Sequence, residues 1–267
     1  GLYLEDGKIA DLGPEAELKT RHPNAPLLDA RGQLVLPGNV CAHTHFYGAF
    51  SRGMAIPGDA PTQFSQILEK LWWPLDKSLT EADVRYSALL CLVDAVKHGT
   101  TTLFDHHASP NFIDGSLDVI AEAVEQAGVR AVLCYEVTDR DGEAKAQAWI
   151  AENARFIKSL PGRQSTTLAG AFGLHAALTL SDKTLEACRA SVGEEVGFHT
   201  HLSESKDDGL AVQQKAGMRP VHWLKKHGVL GSHSIAAHCI HVDESEIETL
   251  AETGTWVTHQ PRSNMNN

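Results

Sequence analysis

The sequence predicts an α/β fold, a (β/α)8 barrel preceded by part of a small β-module, and three observations carry that expectation. From Leu34 onward, apolar runs of strand length alternate with stretches of helical period, the pattern by which repeated βα units build a parallel sheet. Seven such runs are legible, and an eighth is expected beyond Asn267. No Gly-rich phosphate loop follows the first run, so a doubly wound sheet fits less well than a barrel.

The elements follow in order. Residues 2–12 read as a β-hairpin, with Leu2, Leu4, Ile9 and Leu12 flanking an Asp6-Gly7 turn. One hairpin is not stable alone, so residues 1–33 are read as a partial β-module and residues 34–267 as the barrel, incomplete at its C-terminus. Strands are expected over residues 34–42, 100–104, 131–135, 168–174, 195–199, 234–237 and 255–258. Thr80 opens a helix whose Val84, Ala88, Cys91, Leu92 and Ala95 keep the helical period, and Gly99 stops it. Asp243 and Glu246 have the spacing of a capping box for a helix carrying Ile247, Leu250 and Ala251, which ends at Gly254. Comparable helices precede Gly128, Pro161 and Gly193. The long connection 46–77, with Trp72 and Trp73, reads either as a binding loop or as cover for the barrel's outer face.

Composition narrows the function. The 42% hydrophobic content supports a sizeable core, and a formal net charge of -11 without a basic stripe excludes nucleic acid and anionic membrane as partners. No apolar run approaches the ~20 residues that span a bilayer, and no leader is recognisable at the N-terminus. The five cysteines are scattered without a C-x-x-C pair, the usage of reduced thiols in a cytoplasmic protein.

The chemistry concentrates in histidines. His43 and His45, two apart at a strand end, project from the same face and suit one metal ion. His175, His201 and His238 each fall at the end of a later strand, where a barrel gathers its catalytic groups. Glu204, three residues beyond His201, has the reach of a proton shuttle, or else caps the next segment. His199 shares a strand face with His201, so the residues alone leave either as a ligand. No role is assigned to His106, His107 or His241, and Asp105 is read as an orienting group.

In sequence order, residues 37–45 (PGNVCAHTH), 175–177 (HAA), 199–204 (HTHLSE) and 237–241 (AHCIH) resemble the motifs of the metal-dependent amidohydrolase superfamily. They are most similar to its cytosine and guanine deaminase, S-adenosylhomocysteine deaminase and triazine hydrolase branch. Residues 43–54 and 105–110 look most like the SsnA-type aminohydrolases. The resemblance implies that His43, His45 and His201 bind one divalent metal, Zn2+ before Fe2+. It further implies that Glu204 shuttles protons, His238 orients the attacking water and His175 contacts substrate. The family's His-x-x-Glu spacing selects His201 over His199. The implied activity is hydrolytic deamination of a purine, pyrimidine or triazine-like small molecule by a metal-bound hydroxide.

The resemblance also places an aspartate ligand after the eighth strand, beyond Asn267, and leaves a homodimer open. Pro261-Arg262-Ser263-Asn264 is similar to the family's Asn-Pro-x-Ser-Asn segment, with Gln260 where asparagine is usual. The alternatives are a cyclic-amide hydrolase of the hydantoinase or dihydroorotase type, a hydrolytic dehalogenase on the same scaffold, and a non-catalytic metal-binding barrel. The absence of lysine at the fourth strand end favours a mononuclear deaminase-type site.

Overall fold

The computed structural model describes residues 1–265, which divide into two compact units, residues 1–37 and the chain from Gly38 onward. In the first unit, β1 (Leu2–Glu5) pairs antiparallel with β2 (Lys8–Leu12) through the expected Asp6-Gly7 turn, both residues at positive φ. Helix α1 (Glu15–Arg21) follows, and Arg21 and His22 both bond Asp11. Leu4, Ile9 and Leu12 stay exposed, as in any two-stranded ribbon without a second layer.

In the second unit, β3 (Asn39–Thr44), β4 (Thr100–His107), β5 (Arg130–Tyr135) and β6 (Leu168–Gly170) form one parallel sheet. A second comprises β7 (Phe172–Ala176), β8 (Phe198–Leu202), β9 (Ile235–His238) and β10 (Trp256–Thr258). Between the strands lie α2 (Phe64–Ile67), α3 (Trp73–Ser78), α4 (Glu81–Lys97), α5 (Ser116–Ala127) and α6 (Glu143–Ser159). They are followed by α7 (Asp182–Ala190), α8 (Lys206–Ala216), α9 (Pro220–Lys226), α10 (Glu244–Thr253) and α11 (Pro261–Asn264). Both anticipated caps are present: Thr80 with Asp83 on α4, and Asp243 with Glu246 on α10, which Gly254 ends at positive φ.

The first parallel strand begins later than its hydrophobicity suggests. Leu34, Val35 and Leu36 are exposed, and pairing starts only at Asn39, because Pro37 has no N–H to donate. Gly38 then lies so close to Thr101 that a Cβ there would overlap its side chain. The fourth run, expected as one strand, breaks at Ala171 into β6 and β7, which belong to different sheets. The seam is hydrogen-bonded: Ala171 N–H donates to Leu133 O, Val137 N–H to Gly173 O and His175 N–H to Val137 O. Side chains of β3 and β8, which are not neighbours in either sheet, come within 3 Å of each other, so the strands curl around a common interior.

Buried Asn153 on α6 fastens this seam. Its Oδ1 accepts from Tyr135 N–H and Gly173 N–H, and its Nδ2 donates to Tyr135 O. Asn153→Ala would strand both backbone donors away from water, at ~1–3 kcal/mol for each unsatisfied group. The expected loss is about 4 kcal/mol in urea unfolding; a change below about 1 kcal/mol would show that the seam does not depend on this side chain.

Candidate active site

All the parallel strands deliver their C-terminal ends to one edge, and there the histidines meet. His43 comes from β3 and His45 directly follows it, His106 and His107 come from β4, His175 from β7, His199 and His201 from β8, and His238 closes β9. His175, His201 and His238, expected just past their strands, are within them, because β7, β8 and β9 run on to residues 176, 202 and 238.

Hydrogen bonds set the tautomers. His45 Nδ1–H donates to His106 O at 2.6 Å, and His201 Nδ1–H donates to His175 O at 2.8 Å. Each neutral ring therefore carries its lone pair on Nε2, and these two Nε2 atoms face each other at 3.1 Å. Two lone pairs at that distance repel unless a shared proton or a metal ion lies between them. Zinc at ~2.0–2.1 Å from two nitrogens in tetrahedral geometry separates them by about 3.3 Å, close to what is found. His43 Nε2 is buried and unpartnered; donor atoms of His43, His201 and His238 lie within 4.8 Å of one another, as do those of His45, His106 and His201, and His201 is common to both groups. The donor set fits a divalent ion.

His199 is used differently. Its Nε2 lies 2.9 Å from His43 Nδ1, so a proton on His43 Nδ1 leaves the His43 Nε2 lone pair directed away from His199. His106 Nε2–H donates to Leu174 O and His199 O. His107 Nε2 bonds Ser109 Oγ, which anchors the loop after β4. Asp105, fully buried, accepts Phe46 N–H at 2.7 Å and so fixes the backbone immediately after His45. His241 contributes backbone contacts, its N–H to Ser203 O and its O to Arg219.

Glu204 lies 3.6 Å from His238 Nε2. The cap of α8 is Ser205, whose hydroxyl accepts Asp207 N–H, so Glu204 is not the helix cap. Asp208 holds the turn below it, accepting Ser203 N–H and Leu178 N–H, and burial pushes its carboxyl up to about 6. Ser203, His238 and Cys239 have positive φ, strained for such residues, and Cys239 N–H to Leu202 O secures that backbone. His238 Nδ1–H donates to Asn264 Oδ1 at 2.7 Å, which leaves Nε2 as an acceptor.

The site opens into a cavity of about 330 Å³. Trp72 and Trp73 both line it, so the two rings face the cavity and do not cover the outer face of the strands. Sequence reasoning missed Asp76, Glu136 and Arg140. Arg140 pairs with Asp76 of α3 and lies over the Trp73 ring, pinning the connection to the loop after β5. Glu136 follows β5 directly, 3% exposed, within 3.5 to 4.0 Å of His106, Arg140 and His175. Burial opposes its ionisation, but His175, His106 and Arg140 together hold its carboxyl well below the usual range. The available signal was a charged residue placed directly after the apolar run of residues 131–135.

Burial, reinforced by neighbouring imidazoles, pushes His45 down to about 4. Burial likewise takes His107 to about 3 and holds His43, His199 and His201 well below 6.5. In the unfolded chain these rings protonate as pH falls through about 6.5, whereas in the folded chain they do so only several units lower. The unfolded state therefore binds more protons in that window, and stability falls with pH. The Tm of metal-free protein should drop steadily from pH 7 to pH 5; a flat Tm over that interval contradicts the assignment of neutral rings.

Comparison with known proteins agrees with this geometry. The amidohydrolase family model matches residues 34–267. A 5'-deoxyadenosine deaminase of Methanosarcina mazei is 33% identical over 265 residues, covering 99% of this chain and 58% of the relative. A 5-methylthioadenosine/S-adenosylhomocysteine deaminase of Thermococcus sibiricus is 32% identical, covering 99% of this chain and 59% of the relative. This chain thus spans less than two thirds of the length of these curated relatives. Among solved structures, an adenosine deaminase of Xanthomonas campestris with bound zinc superposes with a TM-score of 0.73 at 26% identity, over 86% of this chain and 50% of that one. The E. coli guanine deaminase superposes with a TM-score of 0.83 at 23% identity, over 99% and 60%, and shares the fold. With the family model matching all of the chain from Leu34 onward and the histidines gathered at the C-terminal ends of strands from both sheets, this chain belongs to the amidohydrolase family.

Proposed function

We propose that the protein is a metal-dependent aminohydrolase that hydrolytically deaminates a small aminated heterocycle, with its curled parallel strands forming the wall of a (β/α)8 barrel. The observation that carries this reading is the pair of facing Nε2 lone pairs on His45 and His201, beside orphaned His43 Nε2 and within reach of Glu204 and His238. His43, His45 and His201 hold one divalent ion. Imidazole suits both zinc and iron, and the relative with bound zinc supports zinc. Such an ion supplies Lewis acidity and lowers the pKa of water to about 7.

The remaining work falls to side chains. His238, fixed by Asn264, accepts a hydrogen bond from the attacking water and orients it. Glu204 takes a proton from that water and delivers it to the ring nitrogen next to the attacked carbon. His175 contacts the ring. Water adds at the amino-bearing carbon, the C–N bond breaks, and ammonia and the oxo-heterocycle leave, with protons balanced through Glu204. The deaminase relatives support an amino-purine substrate class. No lysine lines the cavity among the described residues, which gives no support to a lysine-bridged cyclic-amide site.

The test is ammonia release by the full-length, zinc-loaded protein across aminopurines, aminopyrimidines and aminotriazines. Release from one class, lost on chelation and restored by zinc, is expected. No release from any member with metal bound would reject the deaminase reading.

A further inference from the structure

Glu136 is a buried carboxylate in the cavity wall that no step above uses. Its backbone is fixed on two sides, Glu136 N–H to His107 O and Val137 N–H to Gly173 O, so its side chain has a defined origin. Its Oε1 is 4.0 Å from His175 Nε2 and 3.9 Å from Arg140 Nη1, and its Oε2 is 3.5 Å from His106 Nδ1, all longer than good charge-assisted hydrogen bonds. His175 Nδ1–H donates to Thr179 Oγ1, whose own hydroxyl donates to Ala176 O. Neutral His175 therefore presents a lone pair on Nε2. Glu136 and His175 thus set two acceptors side by side on the cavity wall, an arrangement unfavourable until a donor lies against both. The local charge points the same way. The one guanidinium beside Glu136, Arg140 at 3.9 Å, is already paired with Asp76, so the carboxylate keeps negative character on this part of the wall.

We propose that Glu136 is a specificity-determining residue that, with His175, reads a hydrogen-bond-donating N–H edge of the ligand, selecting a neutral or cationic heterocycle over its phosphate-bearing derivative. The inference rests on the deaminase reading of the same cavity, and its test is binding, so that the two can fail separately. Titration calorimetry on full-length, zinc-loaded protein compares hypoxanthine, xanthine and uracil with their singly N-methylated forms, and inosine with inosine 5'-monophosphate. Wild type should bind at least one unmethylated base 10-fold or more tightly than one of its N-methyl forms, and inosine 10-fold or more tightly than its phosphate. In E136Q both ratios should shrink to within about 3-fold, while E136D, which keeps the charge, should retain the preference for inosine.

A carboxylate that only supports the fold would lower Tm and weaken every ligand equally, and unchanged ratios in E136Q would overturn the proposal. Should E136Q fail to fold, equal binding of N–H and N-methyl ligands by wild type overturns it alone. Discrimination without ammonia release from any substrate would leave Glu136 as a reader and remove the deaminase reading. Ammonia release with no discrimination would do the reverse.

Discussion

Glu204→Gln is expected to lower turnover by about 10²–10⁴ while zinc content stays at one ion per chain, since removing a general acid–base group costs that much and no more. The amide keeps the shape of the carboxylate beside His238 but cannot take a proton from water or deliver one to a ring nitrogen. The cap of α8 belongs to Ser205, so the substitution should leave the helix and the Tm within a degree or two. Measured together, kcat and metal content separate three roles. Lost turnover with metal retained is the proton shuttle, lost metal makes Glu204 a ligand, and full activity removes it from the mechanism.

His201→Ala should abolish most metal binding, with affinity falling by more than about 100-fold, because one of three imidazole donors disappears and His45 Nε2 loses the partner it faces at 3.1 Å. His199→Ala is the informative companion. Its Nε2 meets His43 Nδ1 and not the facing lone pairs, so its removal frees His43 to change tautomer without deleting a donor. The expected cost is about 10–100-fold in affinity, the range for groups that orient a ligand. Metal content by elemental analysis after dialysis against a graded chelator reads both. Loss in His199→Ala with retention in His201→Ala would reverse the assignment on β8.

Much of this was legible in the sequence because the signals were local. Thr80, and Asp243 with Glu246, predict helix starts through hydrogen bonds that close within four residues, to which the structure adds Asp83 as the partner of Thr80. The βα alternation predicts parallel pairing, and strand ends predict which histidines share an edge. What was not legible depends on contacts distant in sequence. The break at Ala171 follows from the transfer of the chain between sheets, which Leu133, Gly173 and Asn153 settle. The late start of β3 was available in Pro37, but the apolar residues before it outweighed that signal. Glu136, Arg140 and Asp76 came from segments 60 residues apart or more in part, and their pairing through α3 has no local pattern. The proposed preference for His201 over His199 rests on the family's His-x-x-Glu spacing, and the bond from His201 Nδ1 to His175 O that supports it is a contact periodicity does not encode.

The most direct measurement of the central claim is a product balance on full-length, zinc-loaded protein with the best substrate of the panel, run beside Glu204→Gln. The account predicts one ammonia for each oxo-heterocycle formed, and release slower by at least about 100-fold from the metal-replete variant. Metal-replete wild type that releases no ammonia, or a variant that releases as much as wild type, would contradict it.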